Sequence, residues 1–235
     1  MHVFYVAQPL EGSLTLSEEE SKHCVQVLRL GVGDELQVIN GKGSIALAEI
    51  TSAHPKRCEI SILSTSHKKE ADFSIHLACA PTKNIDRYEW MLEKCTEIGI
   101  EKITPIICEH SERNIIKLER LQKVVVSAMK QSLDAYLPIL EEAVSFDTFI
   151  KSSANFNGQK FIAHCYPIDK NSLKQSYTKG KNALLLIGPE GDFSKVEIEL
   201  AIAHGFVPVS LSEKRLRTET AGVVGVHTIR LINEA

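Results

Sequence analysis

The chain has 235 residues, of which 43% are hydrophobic and 24% are charged, and its formal net charge is −3. This length suits one large domain or two small ones, and the composition is that of a globular protein with a hydrophobic core. The net charge argues against a general polyanion binder, although local basic patches can still bind RNA.

The cysteines and the apolar residues disfavour three further classes of protein. The six cysteines are scattered and form no Cys-x-x-Cys pair, so we expect no disulfide framework and no metal site, and a reducing cytoplasmic location. No basic flank precedes a long apolar run at the N-terminus, and no stretch of about 18 apolar residues occurs. We therefore expect neither a signal peptide nor a membrane span.

Residues 1–70 are predicted to form a small barrel-like β domain. Short runs rich in β-forming residues predict strands at 3–6, 35–39, 45–50 and 58–63. Asn40-Gly41 is a strong hairpin signal between two of them. Ser17 and Glu20 have the spacing of a capping box, which predicts a helix from there to about Arg29. The polar segment 67–72 then marks a domain boundary.

Residues 71–235 are predicted to form an α/β domain with a mainly parallel sheet. Strand-like runs at 75–80, 103–107, 161–165, 183–188 and 206–211 alternate with helical segments. Ser194 and Glu197 form a second capping box, and Gly205 is a typical helix stop. Gly222 and Gly225 lie in the last predicted helix, where each glycine costs about 1 kcal/mol relative to alanine. They predict close packing against another element or a second subunit.

Two loops of this second domain are candidate ligand sites. Gly188-Pro-Glu-Gly191 follows one predicted strand, and residues 211–221 follow the next. Because the carboxyl ends of parallel strands meet at one sheet edge, these loops predict a pocket for a nucleotide-like ligand. Neither a P-loop nor a Gly-x-Gly-x-x-Gly motif is present. Taken singly, the first loop is more often a plain turn than a binding site, and the second is as typical of a solvated charge run as of a functional loop.

Individual side chains in and around these loops suggest roles. Arg217 could reach an anion or a base edge, beside an apolar wall made by Leu216. Thr218 is predicted to cap the last helix, with Glu219 in its first turn, where a carboxylate is also favoured by the helix dipole. His164 ends a predicted strand, where a histidine is more often structural than a base.

Together these segments resemble the RsmE family, the uracil-N3 methyltransferases of small-subunit ribosomal RNA in the SPOUT superfamily. The most specific motifs are Ile187-Gly-Pro-Glu-Gly191 and Leu216-Arg-Thr-Glu-Thr-Ala221. Residues 21–34 are similar to the family's PUA-like segment, and residues 83–99 with 103–105 to its first catalytic helix and strand. The resemblance covers nearly the whole chain.

The resemblance implies two domains and a cofactor. Residues 1–70 would be a PUA-like RNA-binding β-barrel, and residues 71–235 a SPOUT methyltransferase domain with a deep trefoil knot at roughly 183–225. The cofactor would be S-adenosyl-L-methionine, and no metal is implied. The partners would be 16S ribosomal RNA or the small ribosomal subunit and a second copy of the chain, bound through the knot domain.

The resemblance also implies the site residues. Arg217 would stabilise the charge of the N3-deprotonated uracil, and Glu219 would orient the base or accept its proton. Cofactor contacts are expected from Leu186, Ile187, Gly188, Pro189, Glu190, Gly191, Leu211, Ser212, Leu216, Thr218, Thr220, Ala221 and His164. RNA contacts are expected from Lys22, Arg29, Lys83, Arg87, Arg113, Lys130 and Lys214.

Departures from the family pattern leave two alternatives open. Asp192 stands where a second glycine is usual, and Ser212 and Lys214 stand where glycine and arginine are typical. One alternative is a non-catalytic RNA-binding or ribosome-assembly protein that keeps the fold. The other is a SPOUT methyltransferase that acts on transfer RNA.

Overall fold

The computed structural model describes residues 2–234, which divide into two compact units. The first unit comprises the chain up to Glu70 together with Val126–Leu137, and the second comprises Ala71–Val125 and Pro138 onward. The predicted boundary at 67–72 coincides with the end of the first segment. The contribution of Val126–Leu137 to the first unit was not predicted.

The first unit is built on a five-stranded sheet. Its elements are β1 (Val3–Tyr5), β2 (Ser13–Thr15), α1 (Glu18–Lys22), β3 (Glu35–Ile39), β4 (Ser44–Ser52) and β5 (Glu59–His67). The strand order is β1-β3-β4-β5-β2, antiparallel except for the β1–β3 pair. Alternate residues of these strands, such as Leu36, Val38, Ala46 and Ala48, are buried in one core.

The hairpin predicted at Asn40-Gly41 connects β3 and β4. The Asn40 side chain accepts hydrogen bonds from the backbone N–H groups of Lys42 and Ser44, at 2.9 and 3.0 Å. Gly41 and Gly43 take φ values of 71° and 89°, in the left-handed region that glycine adopts without strain. The predicted hairpin is therefore confirmed. Its turn is longer than the Asn40-Gly41 pair and spans residues 40–43.

The helix predicted from Ser17 starts as expected but ends differently. Ser17 Oγ accepts the Glu20 N–H at 3.2 Å, which is half of a capping box. The Glu20 carboxylate instead binds Lys130 Nζ at 2.6 and 2.8 Å, from the segment of the chain that joins this unit. Beyond α1 the chain forms a π-helical turn, His23–Val27, so the helical segment stops before Arg29, whose φ is 59°.

The second unit has a parallel sheet with helices on both faces. Its elements are β6 (Ile75–Cys79), α2 (Ile85–Ile98), β7 (Lys102–Ile107), α3 (Leu118–Gln131, whose last turns belong to the first unit), β8 (Ile139–Leu140), β9 (Val144–Ser145), α4 (Phe146–Ser152), β10 (Gln159–Ala163), β11 (Asn171–Ser172), α5 (Leu173–Ser176), β12 (Ala183–Ile187), α6 (Lys195–Ala203), β13 (Val207–Ser210) and α7 (Thr218–Glu234). The strand order is β11-β13-β10-β12-β6-β7-β8, all parallel, and β9 pairs with β7.

The residues of strand β12 are all apolar, without the alternation of a half-exposed strand. All five of its residues are buried, because helices cover both faces of the sheet. Leu184 and Leu186 contribute to a core shared with α4 and α6. Leu185 points to the other face, where it meets α7 at Gly225.

The glycines of α7 lie where the sequence predicted a close approach. A Cβ at Gly222 would lie 2.5 Å from Met91 Sδ on α2, and one at Gly225 would overlap the Leu185 side chain. These contacts are within the chain, so close packing on α2 accounts for Gly222 and close packing on the sheet accounts for Gly225. The Ser194–Glu197 capping box and the stop at Gly205, with φ 83°, are also confirmed.

Across residues 2–234, no helix is long and apolar enough to cross a membrane. Within the same residues, no three His, Cys, Asp or Glu side chains are grouped so that they could hold a metal ion.

Candidate active site

Three parallel strands of the second unit end around one cavity of about 760 Å³. β10 lies between β12 and β13, so their carboxyl ends are adjacent, and the following residues are His164, Gly188 and Leu211. Residues from all three following loops line the cavity. The two loops that predicted a pocket therefore form one, at the sheet edge where parallel α/β sheets bind ligands.

A direct hydrogen bond links the two predicted loops. Thr218 Oγ1 donates to the Gly188 carbonyl at 3.1 Å, and both groups are buried. Thr218 is already the first residue of α7, so its side chain does not cap that helix as predicted. It instead joins the start of α7 to the Gly188 loop.

The Gly188–Gly191 loop owes its shape to close packing. A Cβ at Gly188 would lie 3.0 Å from the Phe193 ring, and one at Gly191 would lie 3.0 Å from His110 Cβ. Neither glycine has a positive φ; the left-handed residue of this loop is Asp192, at 64°. Glu190 Oε1 accepts the Lys83 N–H at 2.9 Å, which fixes the loop to the start of α2.

Asp192 ties two of the cavity loops together. Its Oδ2 accepts the Cys165 N–H at 2.7 Å, and its Oδ1 accepts the Phe193 N–H at 2.9 Å. A glycine could make neither bond. From the sequence, Asp192 was noted only as a departure from the family pattern. Its hydrogen-bond partner Cys165 follows a different strand, so no local pattern indicated this contact.

His164 lines the cavity and has a buried ring nitrogen without a partner among residues 2–234. Its Nδ1 accepts from the Tyr166 N–H at 3.2 Å and lies 3.3 Å from Lys170 Nζ. Burial lowers the pKa of the His164 imidazole, and the Lys170 ammonium lowers it further, so the ring is neutral at pH 7. The proton then sits on Nε2, which is buried and has no partner among residues 2–234.

Lys170 was missed in the sequence, since no motif surrounds it. Its Nζ donates to the carbonyls of His164 and Tyr166 at 2.6 and 2.7 Å, closing the turn after β10. Burial lowers the pKa of Lys170. Two carbonyl oxygens and the His164 Nδ1 atom surround its ammonium as acceptors.

Arg217 and Glu219 line the cavity from the end of the second loop and the first turn of α7. The Glu219 side chain is only 9% exposed, and its Oε1 lies 3.9 Å from Arg87 Nε. In the described part of the chain, Glu219 Oε2 has no hydrogen-bond partner. The Glu219 carboxylate and the Arg217 guanidinium thus belong to side chains that line the same cavity.

The structure separates the predicted cofactor residues into three groups. Those that line the cavity are Ile187, Gly188, Pro189, Glu190, Leu211, Ser212, Leu216, Thr218, Ala221 and His164. Leu186, which is buried, and Gly191, which is exposed, do not line it, and Thr220 lines a neighbouring cavity. The assignment of each residue to the cofactor stays a prediction.

The predicted RNA-binding residues belong to both units, and their contacts with RNA stay a prediction. Arg87 and Lys214 line the cavity, whereas Lys22, Arg29 and Lys130 belong to the first unit. Lys83 pairs with Glu112 at 2.7 Å. Arg113 donates to the carbonyls of Thr82 and Lys83, at 3.1 and 2.7 Å.

Lys130 has a structural partner that the sequence did not indicate. Besides its ion pair with Glu20, its ammonium lies 5.7 Å from the centre of the Phe4 ring, and the side chain is 22% exposed. The predicted RNA contact of Lys130 stays a prediction.

Comparison with known proteins identifies the family. Residues 69–230 match the model of an RNA methyltransferase domain, and residues 16–63 match that of an RNA methyltransferase PUA domain. Ribosomal RNA small subunit methyltransferase E of Synechocystis sp. is 31% identical, over 97% of this chain and 76% of that protein. The Aquifex aeolicus protein of the same name is 30% identical, over 95% and 96%.

Solved structures agree with this result. A probable rRNA-methyltransferase from Porphyromonas gingivalis is 39% identical with a TM-score of 0.90, covering 100% of this chain and 99% of that one. A putative methyltransferase from Legionella pneumophila, solved in complex with S-adenosylmethionine, is 30% identical with a TM-score of 0.89, covering 98% and 97%. This chain belongs to the ribosomal RNA small subunit methyltransferase E family, the RsmE family.

Proposed function

We propose that the chain transfers a methyl group from S-adenosylmethionine to N3 of a uridine in small-subunit ribosomal RNA. The observation that carries the proposal is the cavity where β10, β12 and β13 end, with Arg217 and Glu219 in its wall. Membership of the RsmE family supports the reaction class and the RNA substrate.

The chemistry of the cavity fits the cofactor. Its volume lies in the range of small-molecule sites, about 300–1,000 Å³, and Ile187, Gly188 and Leu211 bring the main chain to its wall. The buried His164 Nε2–H is a donor that needs an acceptor, which a ribose or carboxylate oxygen would supply. When bound, the cofactor supplies an electrophilic methyl group on a positively charged sulfonium.

The chain's own task is to prepare and orient the base. The N3 proton of uridine must leave, and the resulting charge spreads onto the two ring carbonyl oxygens. In this proposal the Arg217 guanidinium lies against those oxygens and stabilises the charge as it forms. Glu219 accepts the proton or hydrogen-bonds the imide, since its Oε2 is the one without a partner in residues 2–234. The alignment of N3 with the methyl carbon supplies the rest.

The finer features of the fold belong to the same proposal. We infer that the first-unit sheet closes into the PUA-like barrel and that residues of roughly 183–225 form the trefoil knot. Support for the knot comes from α7, which leaves β13 at one side of the sheet and packs back over β6 and β12. The homodimer through this domain and the cytoplasmic location rest on the family resemblance.

Two assays test the proposal against its alternatives. Calorimetry should detect stoichiometric S-adenosylmethionine binding; its absence would favour the non-catalytic assembly protein. Transfer of labelled methyl groups should then occur to small-subunit ribosomal RNA or the small subunit, and not to bulk transfer RNA. Labelling of transfer RNA alone would favour the other alternative.

A further inference from the structure

A second cavity, of about 680 Å³, adjoins the first. The two share Arg87, Arg215, Leu216, Arg217 and Glu219 as lining residues. The wall that belongs only to the second is formed by Asp86, Trp90 and Thr220. The space beside Arg217 and Glu219 that Asp86, Trp90 and Thr220 line is therefore an open depression in the protein surface.

Trp90 is the chain's single tryptophan, and it lies on the exposed side of α2. It is 44% exposed, although neighbours on the buried face of that helix, such as Met91 and Leu92, are fully buried. Asp86 and Arg87 precede it by four and three residues, so they share its face of the helix. The indole thus stands in the cavity wall beside a cation, with part of its surface open.

The polar groups of this cavity match one nucleobase better than the others. Glu219 Oε2 is a buried acceptor without a partner in the described residues, and Arg87, Arg215 and Arg217 are cationic donors. Uracil presents one imide N–H between two carbonyl oxygens, so it offers one donor and two acceptors. Cytosine has an unprotonated N3 at the same place and would leave the carboxylate oxygen facing an acceptor.

We propose that the second cavity is the subsite for the unstacked target uracil, with Trp90 as its stacking platform. This inference rests on the proposed function. Bases of single-stranded RNA stack on aromatic side chains, and a base that reacts must leave its helix first. The indole would hold the ring plane while Glu219 and the arginines hold its edge, so that N3 faces the cofactor cavity.

Fluorescence of Trp90 tests the subsite without catalysis, because the indole is its own reporter. The wild-type protein is first shown to bind S-adenosylhomocysteine, then titrated with a short single-stranded oligouridylate in its presence. We expect saturable quenching. An oligocytidylate should quench less, and an abasic ribose-phosphate oligomer should not quench. No quenching by oligouridylate, or equal quenching by the abasic oligomer, would overturn the subsite.

Kinetics with small-subunit ribosomal RNA provide the second arm. Trp90→Ala should lower kcat/KM for RNA by about 5- to 150-fold, the range for loss of one base–aromatic stack. Its KM for S-adenosylmethionine should stay unchanged, and Trp90→Phe, which keeps a π face, should recover most of the loss. Val196→Ala, which truncates a 71% exposed residue of α6, is the matched control.

The outcomes separate this inference from the proposed function. If wild-type protein neither binds S-adenosylhomocysteine nor methylates RNA, the proposed function fails. If it does both while Trp90→Ala reacts like wild type, or Trp90→Phe loses as much as Trp90→Ala, only the subsite fails. A change of molar mass in light scattering for Trp90→Ala would also overturn it, because Trp90 would then be a contact between copies of the chain.

Discussion

Arg217 and Glu219 stand two residues apart, one at the end of a loop and the other in the first turn of α7. This spacing places opposite charges on one cavity wall. A guanidinium can stabilise an anion that exists only during reaction, whereas the cofactor is held mainly by other groups. The two residues should therefore affect turnover more than cofactor affinity.

Arg217→Ala should lower kcat by about 10²- to 10³-fold, as the removal of one preorganised donor does elsewhere. The dissociation constant of S-adenosylmethionine, measured by calorimetry, should change by only a few fold. Arg217→Lys keeps the charge and should lose less. Equal losses of turnover and of cofactor affinity in Arg217→Ala would mean that the residue mainly holds the cofactor.

Asp192 combines a left-handed backbone with two hydrogen bonds to main-chain N–H groups. Asp192→Gly loses the bonds but relaxes the backbone, whereas Asp192→Ala loses the bonds and keeps the strain. The free energy of unfolding should therefore be lower for Asp192→Ala than for Asp192→Gly by about 1 kcal/mol. Urea unfolding of the two variants measures this, and an alanine variant as stable as the glycine variant would contradict it.

At the scale of elements, some local signals in the sequence predicted the structure correctly. The capping box of Ser194 and Glu197 and the turn at Asn40 involve residues within four positions, and both are confirmed. Glu20 was predicted to complete a similar box but binds Lys130 instead. A partner 110 residues away leaves no local pattern, so sequence reasoning had no means of finding it.

The packing of α7 gives a prediction about stability. Gly225→Ala would gain about 1 kcal/mol of helix propensity, but its methyl group would overlap Leu185, which is fully buried on β12. Overpacking of a core costs about 1–3 kcal/mol, so the free energy of unfolding should fall. Gly31→Ala, where the nearest atom to the new methyl lies 3.9 Å away, is the control. A stabilised Gly225→Ala would contradict this packing.

His76 on β6 predicts how stability depends on pH. Its Nε2 lies 2.8 Å from Thr104 Oγ1, whose hydroxyl donates to Glu141 at 3.1 Å. Burial, with a contribution from Lys102, lowers the pKa of His76 from 6.5 to about 4. Between these values the unfolded chain binds a proton that the native protein does not, so the free energy of unfolding decreases as the pH is lowered.

From pH 7 to pH 5 this one histidine should remove about 2 kcal/mol of stability. His76→Gln cannot titrate, so urea unfolding should show a correspondingly smaller loss for this variant over the same interval. Equal pH dependence of the variant and the wild type would show that His76 titrates normally in the folded protein.

At the scale of the whole molecule, the sequence predicted the class of each unit but not the full path of the chain between them. The β-rich first segment and the alternating second one are evident from residue periodicity alone. The assignment of Val126–Leu137 to the first unit is not, because it depends on contacts such as Lys68–Asp134, at 3.0 Å. Helical periodicity in α3 shows which residues are apolar, and not which core receives them.

The candidate site shows the same division. Both loops were identified because they follow predicted strands, and the sheet brings them together. The third loop, with His164 and Lys170, joins them because β10 lies between β12 and β13. Strand order is set by long-range pairing, so Lys170 and the role of Asp192 could not be found from spacing.

The most direct test of the account is mass spectrometry of nucleosides from small-subunit ribosomal RNA after deletion of the gene. We expect 3-methyluridine to disappear from that RNA, and to return when the wild-type gene, but not the Arg217→Ala variant, is supplied. Undiminished 3-methyluridine in the deletion strain would contradict the proposed reaction, whatever the protein binds.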